Sequence, residues 1–257
     1  MKLVILAGGM QSTISNEREG IPKPMVDIGG KPLLWHIMKH FSQYGIHEFI
    51  ICGGYRVDMI KEYFMDYYIY ASDITVDLSN NTIEIHKKRT EDWKVTVVDT
   101  GLFASTGRRV SLIQKYINED DFMVIYGDCL SDIDANALLE AHEKDGKIAT
   151  VAMAKPTGRN QLLPLDETGV LNFGQGNAFT NDSAWVNADC FVFRKKVFDY
   201  LQGNYDLEKN LFISLSAKQQ LATYCHNGFW APIETKRDLV NAENLWNAGM
   251  APWIKDA

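Results

Sequence analysis

The chain has 257 residues, 46% of them hydrophobic and 23% charged, with a net charge of −7. That length buries roughly 70–75% of the unfolded surface without disulfides or metals, and the acidic balance argues against a nucleic-acid polymer or an anionic membrane as the main partner. No apolar run approaches the ~18 residues of a membrane span, and Leu3–Ala7 is too short for a signal-peptide core. The four cysteines, Cys52, Cys129, Cys190 and Cys225, are widely spaced with no CxxC pair, so buried free thiols in a reducing cytoplasm are expected.

Taken in order, Lys2–Ala7 reads as a buried strand running into Gly8-Gly9. Leu33–Tyr44 carries apolar residues at helical spacing and stops at Gly45; Glu48–Cys52 is a second strand ending in Gly53-Gly54, and Val57–Phe64 opens a second helix. Residues Phe64–Lys94 break the alternation and read as an insertion with an extra hairpin, whose aromatic surface suits self-association. Val95–Asp99 is a strand, Val110–Tyr116 a helix, Phe122–Tyr126 a strand closing on Gly127-Asp128, Ala135–His142 a helix and Ile148–Ala154 a strand. Beyond Pro156, "PLDETGVLNFGQGNAFTNDSAW" suggests hairpins, followed by a strand at Cys190–Phe193, helices at Lys196–Leu201 and Leu207–Lys218, and a helix starting at Thr235. All-apolar strands alternating with helices predict an α/β fold: a Rossmann-like, mixed but mostly parallel sheet flanked by helices, with a hairpin-rich second half. The expectation is one domain over 1–257, in two parts, 1–155 and 156–257.

In open α/β sheets, ligands lie outside the carboxyl ends of the strands, and three strand ends here carry useful chemistry. Gly8-Gly9 lets backbone N–H groups approach a phosphate, although a plain tight turn explains it equally well. Lys23, fixed between Pro22 and Pro24, places a compact cation for phosphate neutralisation. Asp128 sets a carboxylate at the sheet edge, where Mg²⁺ bridging phosphates is commonly held; Asp132 and Asp134 lie close by, one of them explained by helix capping. Glu234, in "GFWAPIETKRDL", is either a favourable charge at a helix N-terminus or a second metal carboxylate beside Asp128. Gln11 breaks a GxGxxG fingerprint, and neither GxxxxGK[ST], GxSxG nor HExxH is present. His36 and His40, one helical turn apart, read as core residues.

With "MKLVILAGG", "PKPMVDIGGKPLLWHIMKHFSQYGIHEFIICGGY", "VTVVDTG", "STGRRV", "YGDCLSDI", "WVNADCFVF" and "GFWAPIETKRDL", the chain resembles the sugar-phosphate nucleotidyltransferases over essentially its full length, and within them the glucose-1-phosphate cytidylyltransferases. The resemblance implies in-line attack by a sugar 1-phosphate oxygen on the α-phosphorus of CTP, releasing pyrophosphate, with Mg²⁺ as cofactor and no covalent intermediate. It implies CTP and a small phosphorylated acceptor as partners, and a cytoplasmic homo-oligomer. Carried across by position, Leu6, Gly8 and Gly9 would face the nucleotide, Lys23 would bind its phosphates, and Cys52, Gly53, Gly54, Tyr55, Thr106 and Gly107 would border the cytidine. Asp128 and Glu234 would hold the metal, with Glu234 standing where the family usually has aspartate. Tyr126, Asn187, Asp189 and Arg159 would meet the acceptor.

The chain departs from the family pattern at Gln11-Ser12-Thr13, where a G-T-R arginine grips pyrophosphate, and at Gln175-Gly176-Asn177, where an E-K-P lysine holds the sugar phosphate. It also departs at Ala188-Asp189, in place of paired glycines, and at Arg108 in T-G-G-R. Arg18 is the candidate substitute for the arginine, and Arg159 or Lys155 for the lysine. A second reading follows from these departures: a catalytically weakened homologue that binds nucleotide or a partner protein.

Overall fold

The computed structural model describes residues 1–9, 20–88, 90–156 and 185–254. In chain order the elements are β1 (Lys2–Ala7), β2 (Asp27–Ile28), β3 (Lys31–Pro32), α1 (Leu33–Ser42), β4 (Glu48–Gly53), α2 (Val57–Met65) and α3 (Tyr67–Tyr70). There follow β5 (Ser72–Asp77), β6 (Thr82–Lys88), β7 (Lys94–Asp99), α4 (Thr106–Leu112), β8 (Asp121–Tyr126), β9 (Cys129–Ser131), α5 (Ala135–Asp145) and β10 (Ala149–Ala154). The described part closes with β11 (Val186–Arg194), α6 (Ile213–Ala217), β12 (Leu221–His226), β13 (Trp230–Pro232) and α7 (Lys236–Asn247).

The main sheet has seven strands in the order β12-β10-β11-β8-β1-β4-β7. β1 lies parallel to both β4 and β8, β4 to β7, and β10 to β12, whereas β11 runs antiparallel to β8 and β10. The expected mixed, mostly parallel architecture is what the chain adopts. Each central strand is a continuous apolar run because both faces are covered. Leu3 and Ile5 face one core with Leu33, Ile37, Met38 and Phe41 of α1, while Val4 and Leu6 face the other with Val110 and Ile113. Burial of each such side chain is worth about 1.5–3 kcal/mol, so the centre of the sheet is a rigid floor for the loops at its carboxyl edge.

Several boundaries differ from expectation for identifiable reasons. The helix expected at Val110–Tyr116 begins four residues earlier, where the Ser105 side chain accepts a hydrogen bond from the Arg108 N–H and caps it. Its polar first turn hides it from apolar periodicity. Leu207–Lys218 is not one helix but a π-helical segment, Leu207–Phe212, followed by α6. β12 went unanticipated because it is a sheet-edge strand with mixed exposure. The stretch expected to form hairpins after Pro156 lies outside the described residues.

The insertion does form a hairpin, β5 against β6. Its exposed large apolar side chains are Ile74, Val76, Leu78 and Ile83, and of the insertion's aromatic residues Tyr68 is exposed, while Phe64 and Tyr67 stack on each other and Tyr67 packs near Trp93. Cys52, Cys129 and Cys190 are buried as expected, but Cys225 on the edge strand is exposed. His36 and His40 are core residues: His36 Nε2 pairs with the Ile28 carbonyl and its Nδ1 accepts from Trp253, while His40 bridges the Trp253 and Ile133 carbonyls.

Candidate active site

β1 ends in Gly8-Gly9 and β8 in Gly127-Asp128, and these adjacent carboxyl ends open on a cleft of about 610 Å³. Leu6, Gly8, Gly9, Lys23, Thr106, Tyr126 and Asp128 line it. Pro24, buried in the one-turn helix Lys23–Met25, anchors the lysine's backbone. The Lys23 ammonium stands 2.9 Å from the Asp128 carboxylate, with the two side chains 26% and 34% exposed. Both groups predicted to serve one polyphosphate therefore converge, still open to solvent and able to exchange each other for a ligand.

Glu234 does not line the cleft, but backbone pairing carries its segment close to Asp128. β13 pairs with β9, setting Pro232 opposite Cys129, and the Ile233 N–H donates to the Asp128 carbonyl at 2.8 Å. The cap of α7 is made by Thr235 and Asp238 in a reciprocal capping box, so the helix terminus does not need the Glu234 side chain. Asp134 caps α5 by accepting from the Ala137 N–H, which identifies the capping member of the Asp132/Asp134 pair.

On the other side of β8 the charge is strongly acidic. Asp189 adopts a left-handed backbone (φ 58°), and its N–H donates to Asn187 Oδ1 at 2.9 Å. Burial, then repulsion from Asp128, Glu208 and Glu234, raises the Asp189 carboxyl to about 7, with Lys23 opposing. Glu208, not anticipated from sequence, accepts a hydrogen bond from the Tyr126 hydroxyl, and burial raises its carboxyl above the usual range. Only the tertiary fold, across 82 residues, brings these two together.

The principal residue that sequence reasoning missed is Arg109. It is 5% exposed, and its guanidinium donates to the carbonyls of Gly8 (2.7 Å), Gly53 (3.2 Å), Gly101 (2.9 Å) and Leu102 (3.2 Å) and to Thr100 Oγ1 (2.6 Å). One side chain thus ties together the loops that follow β1, β4 and β7. Gly8 is obligatory for this: a Cβ there would sit 2.0 Å from the guanidinium. The departure noted at Arg108 is a different matter, since that side chain is exposed beside Ser111.

The remaining predicted residues are placed unequally. Gly53 and Gly54 back onto Arg109. Cys52 is fully buried beneath them, with its thiol pushed up to about 12 by burial, so only its backbone is available to a ligand. Tyr55 is half-buried near Gly20, and Gly107 packs against the Tyr205 carbonyl, leaving no room for a Cβ. Lys155 lies over the Trp185 ring at 3.9 Å. Arg159, Arg18, Gln11-Ser12-Thr13 and Gln175-Gly176-Asn177 lie outside the described residues. Among the described residues no three His, Cys, Asp or Glu side chains form a metal cage.

A mixed sheet with glycines, a lysine and an aspartate at adjoining strand ends defines a phosphate-handling α/β protein, and comparison with known proteins makes this specific. The chain belongs to the Nucleotidyl transferase family, which matches residues 2–248. It is 42% identical over 255 residues to glucose-1-phosphate cytidylyltransferase of Salmonella typhi, covering 98% of each chain. Among solved structures it resembles HddC from Yersinia pseudotuberculosis (TM-score 0.67, 21% identity, 95% of this chain and 99% of that one). It also resembles the inositol-1-phosphate CTP transferase from T. maritima (TM-score 0.64, 14% identity, 100% and 97%). At those identities the two structures speak for the fold.

Proposed function

We propose that the chain transfers CMP from CTP to a sugar 1-phosphate, glucose 1-phosphate being the first acceptor to test, with release of pyrophosphate. The observation that carries this reading is the Lys23–Asp128 pair at 2.9 Å in the cleft, in a chain 42% identical to a glucose-1-phosphate cytidylyltransferase. Residues 1–155 hold the nucleotide and 156–257 supply the acceptor side of one domain, working as a cytoplasmic homo-oligomer.

The N–H groups at Gly8-Gly9 and the Lys23 ammonium bind the triphosphate. Leu6, Thr106, Gly107 and the Cys52–Tyr55 backbone border the nucleoside. Asp128 and Glu234 hold Mg²⁺, for which an all-oxygen donor set fits; once bound, the ion neutralises phosphate charge. On loading, Lys23 exchanges Asp128 for phosphate oxygens, which frees the carboxylate. Tyr126, oriented by Glu208, joins Asn187, Asp189 and Arg159 in positioning the acceptor phosphate for in-line attack. Catalysis then rests on orientation and electrostatics rather than on a protein nucleophile. The thiols agree with that: burial raises Cys52 and Cys190 to about 12, far from the thiolate form.

The test is direct. Protein incubated with CTP, Mg²⁺ and a panel of sugar phosphates headed by glucose 1-phosphate releases pyrophosphate and a CDP-linked product. Tight CTP binding with no turnover across the panel would instead favour a nucleotide-binding homologue, the reading that Gln11-Ser12-Thr13 motivates. Absence of any nucleotide binding would overturn both.

A further inference from the structure

The geometry points to Phe103 as the platform on which the nucleobase of the bound nucleotide stacks, a role that rests on the proposed nucleotidyl transfer and adds a binding residue to it. Phe103 lines the cleft yet is 82% exposed, and its neighbour Leu102 is 38% exposed. A bare phenyl ring at the mouth of a ligand cleft leaves unused the burial a large apolar side chain normally gains.

The backbone that carries the ring is also held from both sides. Ahead of it, Arg109 binds the Gly101 carbonyl at 2.9 Å and the Leu102 carbonyl at 3.2 Å, while the same guanidinium holds the Gly8 carbonyl at 2.7 Å. Behind it, the Ser105 N–H donates to Asn204 Oδ1 at 2.8 Å, and the Ser105 hydroxyl donates to the Tyr205 carbonyl. The main chain that carries the phenyl is therefore fixed relative to the phosphate-facing glycines before any ligand arrives, which reduces the ordering cost of binding to that of the side chain.

Strand order decides which part of the ligand it meets. β4 and β7 lie on one side of β1, and β8 and β11 lie on the other. The Phe103 loop follows β7, whereas Asp128 follows β8 and Asp189 lies in β11. A triphosphate centred on Gly8-Gly9 and Lys23 thus has its acidic, acceptor-facing side toward β8. Its apolar side, with Leu102 and Phe103, lies toward β7, with Leu6 of β1 between the two. The flat aromatic part of the nucleotide belongs on the apolar side. Every base presents a π-face, so this contact adds affinity without choosing between bases.

The test compares wild type, F103A and F103W by calorimetry with CTP, UTP, ATP, GTP and inorganic tripolyphosphate, alongside steady-state kinetics with CTP. F103A is expected to weaken CTP binding and raise its KM roughly 5–100-fold, to leave kcat within about 2-fold, and to leave tripolyphosphate binding unchanged; F103W restores CTP affinity. Equal CTP affinity in wild type and F103A overturns the stacking role while leaving the proposed function intact. Parallel losses for CTP and tripolyphosphate overturn it too, since they mark a collapsed loop. A wild-type protein that binds tripolyphosphate but none of the four nucleotides overturns the proposed function and the platform together.

Discussion

Replacing Arg109 with alanine removes a side chain that joins three of the loops at the carboxyl edge of the sheet. Of its five acceptors, the Gly53 carbonyl keeps hydrogen bonds from the Thr100 N–H (3.0 Å) and hydroxyl (2.6 Å). The carbonyls of Gly8, Gly101 and Leu102 have no such second donor among the described residues. Three acceptors losing a charged donor cost about 1 kcal/mol each once water partly replaces it. The vacated space beside Gly8 adds to that, giving an expected loss of about 3–4 kcal/mol. R109K, with one ammonium in place of a planar fork, spans only part of the set and recovers about half. Urea titration of ligand-free protein reads the stability, and amide exchange over residues 100–104 reads the loop. Because the loop carries cleft residues, the KM for CTP rises along with the instability. An R109A protein with an unchanged urea midpoint and unchanged exchange at those amides would refute the bracing role.

Lys23→Met is expected to lower kcat/KM by about 10²–10³ while changing stability by less than about 1 kcal/mol, because its pair with Asp128 is partly solvated; unchanged turnover would remove Lys23 from the phosphate site. Asp189 holds its proton to about pH 7 in the folded chain against about 4 when unfolded. Its contribution to stability is therefore complete below about pH 4 and is lost as pH rises through 7. The full shift corresponds to about 4 kcal/mol, which partial solvation reduces to about 1–2 kcal/mol. D189N, still tolerated in the left-handed region, should be less pH-sensitive than wild type between pH 5 and 8 in Mg²⁺-free urea titrations, and equal slopes would sink this. Trp253→Ala empties a fully buried position and removes the donor to His36, so a loss of about 3–5 kcal/mol is expected by urea titration. A loss below 1 kcal/mol would show that the C-terminal stretch does not clamp α1.

Much of this architecture is written locally. Val4, Ile5 and Leu6, like Met123, Val124 and Ile125, sit in strands buried on both faces, and only an unbroken apolar run fits there. The glycine and aspartate that end those strands are legible for the same reason, as polar punctuation after an apolar stretch. Lys23 is legible through its prolines. Arg109 is not, because a charged residue in a helix reads as surface, and the acceptors that justify its burial come from loops as far as 101 residues away. Glu208 was hidden in the same way: its partner Tyr126 belongs to another element, and the π-helical turn that carries it has no apolar period of its own to read.

The antiparallel direction of β11 has an effect on how this enzyme can diverge. Because that strand runs against β8, the chain enters the sheet at the very rim where the sugar phosphate is proposed to dock. The pairing of Phe191 with Val124 lies deeper in, away from that rim. A change of charge at that doorway thus leaves untouched the three strand-end loops that Arg109 pins on the far side of β8.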